Sequence, residues 1–198
     1  MTIAALSTTT TRRPLADVLV ARSAVTSTAL VIAGAALTAA AAQVSVPLWP
    51  VPITGQTLAV LLVGSALGAR RGALSMALYA LLGLVGLPVY AAGGSGAGVL
   101  LGASGGYVVG FIAAAALVGW VAERFGDRWR TALLSFALGT IVTFAVGMVW
   151  LAVVLGTDLQ QTLEYGLYPF VVGGIAKALI GAAVIRLGWT AVLRRRRD

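Results

Sequence analysis

Every arginine of the chain falls outside four long stretches that contain no arginine and no carboxylate, and that spacing constrains the fold more than any other feature. The stretches run from Ser23 to Ala69, Gly72 to Ala122, Thr131 to Thr157 and Tyr165 to Ile185, the last interrupted only by Lys177. At roughly 20 residues per bilayer crossing, the first two each accommodate a helix out and a helix back, and the last two accommodate one helix each. Prolines 47, 50 and 52 divide the first stretch; Pro88 and the glycine-rich run Gly93 to Gly106 divide the second. The predicted spans are about 25–44, 54–69, 72–87, 103–122, 131–155 and 166–186. The second and third are short, which suits a place in a protein-lined recess rather than against lipid.

The arginines supply an independent check. Arg12, Arg13 and Arg22 precede the first span; Arg70 and Arg71 separate the second from the third; Arg124, Arg128 and Arg130 separate the fourth from the fifth; Arg186 and Arg194 to Arg197 follow the sixth. All of them therefore fall on one side of an even-numbered topology, while the loops of the other side carry only Asp158 and Glu164. Because cytoplasmic loops retain Lys and Arg, that side is cytoplasmic and both termini are inside. The fold class expected is an all-α integral membrane protein of six transmembrane helices. It comprises a cytoplasmic tail over 1–22, disordered around Ser7 to Thr11, a transmembrane domain over 23–190 and a basic cytoplasmic tail over 191–198. A signal-peptide reading of the first span, ending at Ala40-Ala41-Ala42, would break this parity.

Composition agrees. Hydrophobic residues are 60% and charged residues 10%, against about half and a quarter in soluble domains. Cys and His are both absent, which excludes disulfides, zinc or haem ligation by those residues, and Cys or His catalysis. The net charge of +8 reads as a topology signal. The terminal arginine run fits an anchor beside anionic lipid better than a nucleic-acid contact.

The outward face carries the candidate chemistry. Trp49 lies in a proline-rich loop, Gln56 opens the second span, and Tyr90, Ser104 and Tyr107 lie around the other outward loop. Trp49 reads equally as an interfacial anchor. Aromatics and neutral hydrogen-bonding groups with almost no charge suit a small, largely apolar solute bearing a few polar atoms. Lys177 lies near the middle of the last span, and an ionisable residue there is a functional candidate by default. Phe170, Gly174, Lys177 and Gly181 share its helical face, so two glycines open room around the ammonium. No carboxylate lies within a span to pair with it, so a bound anion can supply the missing charge. The pairs Ala35/Ala39 and Ala36/Ala40 form small faces on the first span that either pack internally or dock another membrane subunit. Gly102, Gly106 and Gly110 read as internal packing. No HExxH, Walker A lysine or intramembrane Asp pair is present, so any ATP-driven step belongs to partner subunits.

Three blocks resemble the BioY family of biotin transporters, the substrate-binding S components of energy-coupling factor (ECF) transporters. They are PVPITGQTLAVLLVGSALGARRGALSMALYALLGLVGLPVYAAGGSG (Pro50 to Gly96), LGASGGYVVGF (Leu101 to Phe111) and YPFVVGGIAKALIGA (Tyr168 to Ala182). The resemblance spans roughly residues 25 to 186. It implies a six-helix membrane fold in a prokaryotic cell membrane, an extracellular-side biotin pocket, no intrinsic cofactor and no enzymatic activity. It also implies docking onto a transmembrane coupling subunit and two cytoplasmic ATPases, or operation alone or as an oligomer. By the resemblance Ala35, Ala36, Ala39 and Ala40 serve docking, and Lys177, Trp49, Gln56, Tyr90, Ser104, Tyr107 and Gly174 serve the substrate. Two positions depart from the family pattern. Gly174 stands where the last helix of the family carries Asp, three residues before the lysine, and Ala103-Ser104 replaces a Pro-Thr pair. An S component for another vitamin and a non-transporting structural or regulatory membrane protein remain the alternative readings.

Overall fold

The computed structural model describes residues 14–126 and 129–195. The expected disordered stretch Ser7 to Thr11, and Arg12, Arg13, Arg128, Arg196 and Arg197 of the charge map, lie outside the described residues.

Among the described residues six principal helices overlap the six predicted spans, the last of them displaced toward the C-terminus. They are α2 (Ala24–Gln43), α3 (Gln56–Leu67), α4 (Ala69–Leu84), α6 (Gly105–Phe125), α7 (Trp129–Leu155) and α9 (Val171–Arg195). Four smaller pieces were not predicted: α1 (Leu15–Leu19), α5 (Ala97–Leu101), α8 (Leu159–Gly166) and a two-stranded antiparallel hairpin, β1 (Ser45–Val46) with β2 (Ile53–Thr54). The hairpin interrupts an otherwise all-α chain between α2 and α3, with the three prolines in its connection. The last helix begins five residues later than expected, because Tyr168–Phe170 forms a 3-10 turn with Pro169 in it. It also runs past residue 190, so the first part of the expected basic tail is helical.

Local chemistry sets several of these boundaries. Ser23 caps α2, its hydroxyl accepting from the Thr26 amide at 3.0 Å, and Asp158 caps α8 by accepting from the Gln161 amide at 2.8 Å. Helices α3 and α4 meet at Gly68, whose φ of 84° suits glycine and breaks the rod without a loop. The Glu123 side chain from the end of α6 accepts from the Ala69 amide at 3.1 Å, satisfying a donor at the start of α4.

Helix α6 is the centre, packed against α7, α4 and α3; α2 lies outside on α4 and α3, and α9 on α7 and α3. Small residues allow this proximity. A Cβ on Gly106 would meet the Trp150 Cβ at 2.1 Å, and one on Gly64 the Ala115 carbonyl oxygen at 2.7 Å. The packing reading of Gly106 and Gly110 thus holds, whereas Gly102 precedes α6 and its carbonyl accepts from the Trp150 indole at 3.0 Å. A satellite cluster of Leu61, Val118, Phe136, Ala182 and Ile185 joins α3, α6, α7 and α9 near the arginine-bearing end.

The ends of the bundle differ. At one, Asp17 of α1 bonds both Arg22 and Arg71, and a Cβ on Gly188 of α9 would touch Leu15 at 3.1 Å. The α1–α2 and α3–α4 junctions, the end of α6 and the later turns of α9 therefore lie together. At the other end Gln43, closing α2, donates to the Tyr90 carbonyl and accepts from the Gly93 amide, tying α2 to the α4–α5 loop. This alternation matches the arginine map. Among the described residues, four helical segments are long and apolar enough to cross a membrane: Ala24–Gln43, Gly105–Phe125, Trp129–Leu155 and Leu159–Val192. Helix α3 has 12 residues, about 18 Å of rise, and α4 has 16, about 24 Å, against a hydrocarbon core of about 30 Å.

The alanine faces of α2 separate. Ala35 is buried in the main core and Ala39 packs partly against it, while Ala36 and Ala40 are exposed. Ala35 thus faces inward and is not free to dock a partner, contrary to the expectation. Residues i and i+4 share a face and i+1 is turned by about 100°, so a run of alanines offers both faces at once.

Candidate functional site

A cavity of about 150 Å³ opens at the hairpin end, enclosed by the hairpin and by α3, α6, α7 and α9. Gln56, Tyr90, Ser104, Tyr107, Gly174 and Lys177, six of the seven expected site residues, line it. Trp49 does not. It is exposed near the tip of the hairpin, edge-on to Tyr165 of α8 with ring centroids 5.4 Å apart. The pinned Pro-rich connection carries Trp49 away from the mouth, while Val51, Pro52 and Thr54 face the cavity.

Each lining group is held by its own element. Tyr90 is buried, its hydroxyl donating to the Ala80 carbonyl at 2.6 Å. Its ring occupies the space that a side chain on Gly83 would need, since a Cβ there would lie 2.1 Å from it. Tyr107 donates to the Gly166 carbonyl at 2.9 Å and stacks edge-on with Phe144 at 5.8 Å. Phe144 in turn packs on Phe170 at 5.6 Å. One wall is therefore an aromatic group of three rings drawn from α6, α7 and the turn before α9. Both tyrosine hydroxyls are already committed to carbonyls, so these side chains offer a solute mainly their ring surfaces.

Polar capacity concentrates opposite. Lys177 is half-buried, and its ammonium donates to the Thr54 backbone carbonyl at 2.6 Å. Among the described residues the ion pairs are those of Asp17, so no carboxylate neutralises Lys177. One neutral carbonyl leaves two of three ammonium donors for water or a ligand. Gln56 is buried; its carbonyl oxygen accepts from the Thr54 hydroxyl at 2.7 Å and its amide donates to the Tyr79 hydroxyl at 2.5 Å. The glycines flanking Lys177 behave differently from one another. Gly174 leaves open space, with only the Thr140 methyl at 3.8 Å from a Cβ placed there, while Gly181 packs against Phe136 and gives the lysine no room.

Sequence reasoning missed Phe111, Thr140 and Phe144 on the cavity wall and the Thr54 carbonyl that holds Lys177. Thr140 alone left a trace, as a hydroxyl within an apolar run; an aromatic in a span reads the same whether it faces lipid, core or cavity.

An apolar, aromatic cavity with a single cation on its wall can take a small solute with an apolar ring body, neutral polar atoms and one anionic end. The BioY family profile matches residues 9–194 of the chain. The biotin transporter BioY2 of Lactococcus lactis subsp. cremoris is 35% identical over 161 residues, covering 79% of this chain and 88% of the relative. The biotin transporter BioY of Thermotoga maritima is 37% identical over 157 residues, with coverages of 79% and 88%. The probable biotin transporter BioY of Pyrococcus horikoshii is 36% identical over 143 residues, covering 72% and 83%. In three dimensions the chain is similar to the crystal structure of the S-component for biotin from an ECF-type ABC transporter. The TM-score is 0.74 at 26% identity, over 88% of this chain and 92% of the other.

Proposed function

The chain belongs to the BioY family, and on that premise we propose that it is the biotin-binding S component of an ECF-type transporter, capturing biotin with high affinity for uptake across the cytoplasmic membrane of a prokaryote. It is a transport subunit, not an enzyme; a transmembrane coupling subunit and two ATPases supply the energy where uptake is ATP-driven. Helices α3 and α4 complete six crossings, their shortness accommodated by burial of α3 among α4, α6 and α9.

One observation carries the reading: the cation Lys177 stands on the wall of an otherwise neutral, aromatic cavity with no carboxylate beside it. Biotin is an apolar bicycle with a neutral ureido group and an anionic tail. The rings of Tyr107, Phe144 and Phe170 suit the bicycle, Ser104 suits neutral polar atoms, Gln56, tied to Thr54 and Tyr79, supports the wall, and Lys177 suits the carboxylate. Trp49, exposed at the hairpin tip against Tyr165, takes no part in the cavity. Partner docking falls to Ala36 and Ala40, the exposed small residues of α2. Ala36→Trp should therefore lower the yield of complex with the coupling subunit while leaving biotin binding intact.

Gly174 favours a second reading, an S component for a different vitamin, because it removes a carboxylate one turn from Lys177. Equilibrium titration of the purified protein with biotin, thiamine and riboflavin decides between them. Saturable binding of biotin alone supports the first reading; binding of another vitamin in its place supports the second; binding of none leaves the protein a structural or regulatory subunit.

A further inference from the structure

The hydrogen bonds that hold Lys177 do not stop at the cavity wall. The ammonium donates to the Thr54 carbonyl at 2.6 Å. The hydroxyl of that same residue donates to the Gln56 side-chain oxygen at 2.7 Å and accepts from the Gln56 backbone amide at 3.2 Å. Gln56 passes the connection on, its side-chain amide donating to the Tyr79 hydroxyl. Tyr79 lies outside the cavity. It is fully buried on α4, with its ring edge-on to Tyr90 at 5.6 Å, so the chain ends on a rigid, packed group.

The direction of these bonds matters. A glutamine side chain has a donor end and an acceptor end, and here each is used by a different neighbour. The Tyr79 oxygen takes the donor end, which leaves the acceptor end to fix the Thr54 hydroxyl. With Tyr79 Oη removed, the Gln56 amide has a buried donor and no acceptor, and turning it over to satisfy that donor would place N–H groups where Thr54 now donates. Thr54 would then lose the double tie that holds its orientation, and with it the aim of the carbonyl that holds Lys177.

Resting on the biotin reading above, we propose that Tyr79 is a positioning residue for substrate recognition, setting the Lys177 ammonium through Gln56 and Thr54 without touching the ligand. It governs preference for the anionic tail rather than affinity for the ring system.

The test compares biotin with biotin amide, whose tail lacks the anion, by calorimetric titration of the detergent-purified protein and of Tyr79→Phe, Thr54→Val, Lys177→Ala and Tyr79→Phe/Lys177→Ala, with thermal melts of each. Tyr79→Phe should weaken biotin about threefold to tenfold and the amide less than about twofold, lowering the preference between them. Thr54→Val, which keeps the backbone carbonyl and removes the hydroxyl link, should lower the preference in the same way, and it decides the matter if Tyr79→Phe does not fold. In the Lys177→Ala background, Tyr79→Phe should leave the preference unchanged. Equal losses for the two ligands in the folded single variants, or an unchanged preference, would overturn the positioning role. Failure of the unsubstituted protein to bind biotin would instead overturn the functional reading and this assignment with it, so the two failures are distinguishable.

Discussion

Asp17 and Lys177 are charges taken out of bulk water at opposite ends of the bundle, with α3 between them, and they are treated in opposite ways. The Asp17 side chain is 2% exposed and bonded by two guanidiniums, Arg22 from the α1–α2 connection and Arg71 from α4. Lys177 has one neutral carbonyl. A charge fully paired within its own chain joins elements together; one held by a single neutral group retains capacity for a ligand. The arginine end thus keeps α1, α2 and α4 in place, while the hairpin end leaves a cation with donors to spare.

The largest expected effect is on ligand binding. A charge-assisted contact of Lys177 with a carboxylate in a partly dry site is worth roughly 1.5–3 kcal/mol. Lys177→Ala should therefore weaken biotin by roughly tenfold to a hundredfold in titration, with the melting temperature little changed. Lys177→Arg should recover part of the loss, because the guanidinium is larger and presents its donors in a fixed plane. A large fall in stability with unchanged affinity would make Lys177 resemble Asp17 and dissolve the contrast.

Asp17→Asn should show the reverse pattern. One carboxylate oxygen becomes an amide nitrogen that cannot accept, so one guanidinium loses its bond and the other keeps a weaker one to a neutral oxygen, costing about 1–2 kcal/mol of stability after allowance for the exposure of Arg22. Thermal unfolding should shift down while biotin affinity stays within about twofold. Loss of affinity without loss of stability would show that the two ends are not separate in function.

Gly174→Asp sharpens the comparison by giving Lys177 the kind of partner Asp17 already has. The open space at Gly174 admits the side chain without a steric clash at Cβ. If the carboxylate accepts from the ureido group, affinity should rise severalfold, about 1 kcal/mol. A fall would mean that it neutralises Lys177 and displaces the biotin tail.

The smallest effect is in pH. Burial pushes the Asp17 pKa up, but the hydrogen bonds and charges of Arg22 and Arg71 outweigh it and hold the carboxyl below its ordinary 3.8. A carboxyl depressed in the folded state contributes stability above its unfolded value and loses it as pH falls through the lower folded value. The gap in melting temperature between the parent and Asp17→Asn should therefore be constant above about pH 5 and close as pH falls below 3.8. A gap that widens on acidification would contradict the pairing.

Much of this was legible in the chain. The arginine map anticipated the alternation of the six principal helices, because Arg22, Arg70 and Arg71, and Arg124 and Arg130 lie beside helix ends that meet at one end of the bundle. Lys177 was legible because an ionisable group within an apolar run has few structural uses. Helix α1 was not: five residues are too few for a periodic pattern, and Asp17 acquires meaning only from Arg71, 54 positions away. Nor was the inward face of α2, because alanines at 35, 36, 39 and 40 occupy adjacent faces and only the packing of Gly34 and Thr38 against α4 and its neighbours turns Ala35 inward. Phe111 and Phe144 were indistinguishable from core or lipid-facing aromatics. Trp49 was placed by its neighbouring residues in sequence, whereas the bend of the hairpin set its location.

Titrating the parent protein and Lys177→Ala with both biotin and biotin amide decides whether Lys177 reads an anionic tail from within a neutral cavity. The parent should prefer biotin over the amide by about tenfold or more, and Lys177→Ala should abolish most of that preference while still binding both. Equal losses for the two ligands in Lys177→Ala would contradict it, leaving Lys177 a structural tie between α9 and the hairpin.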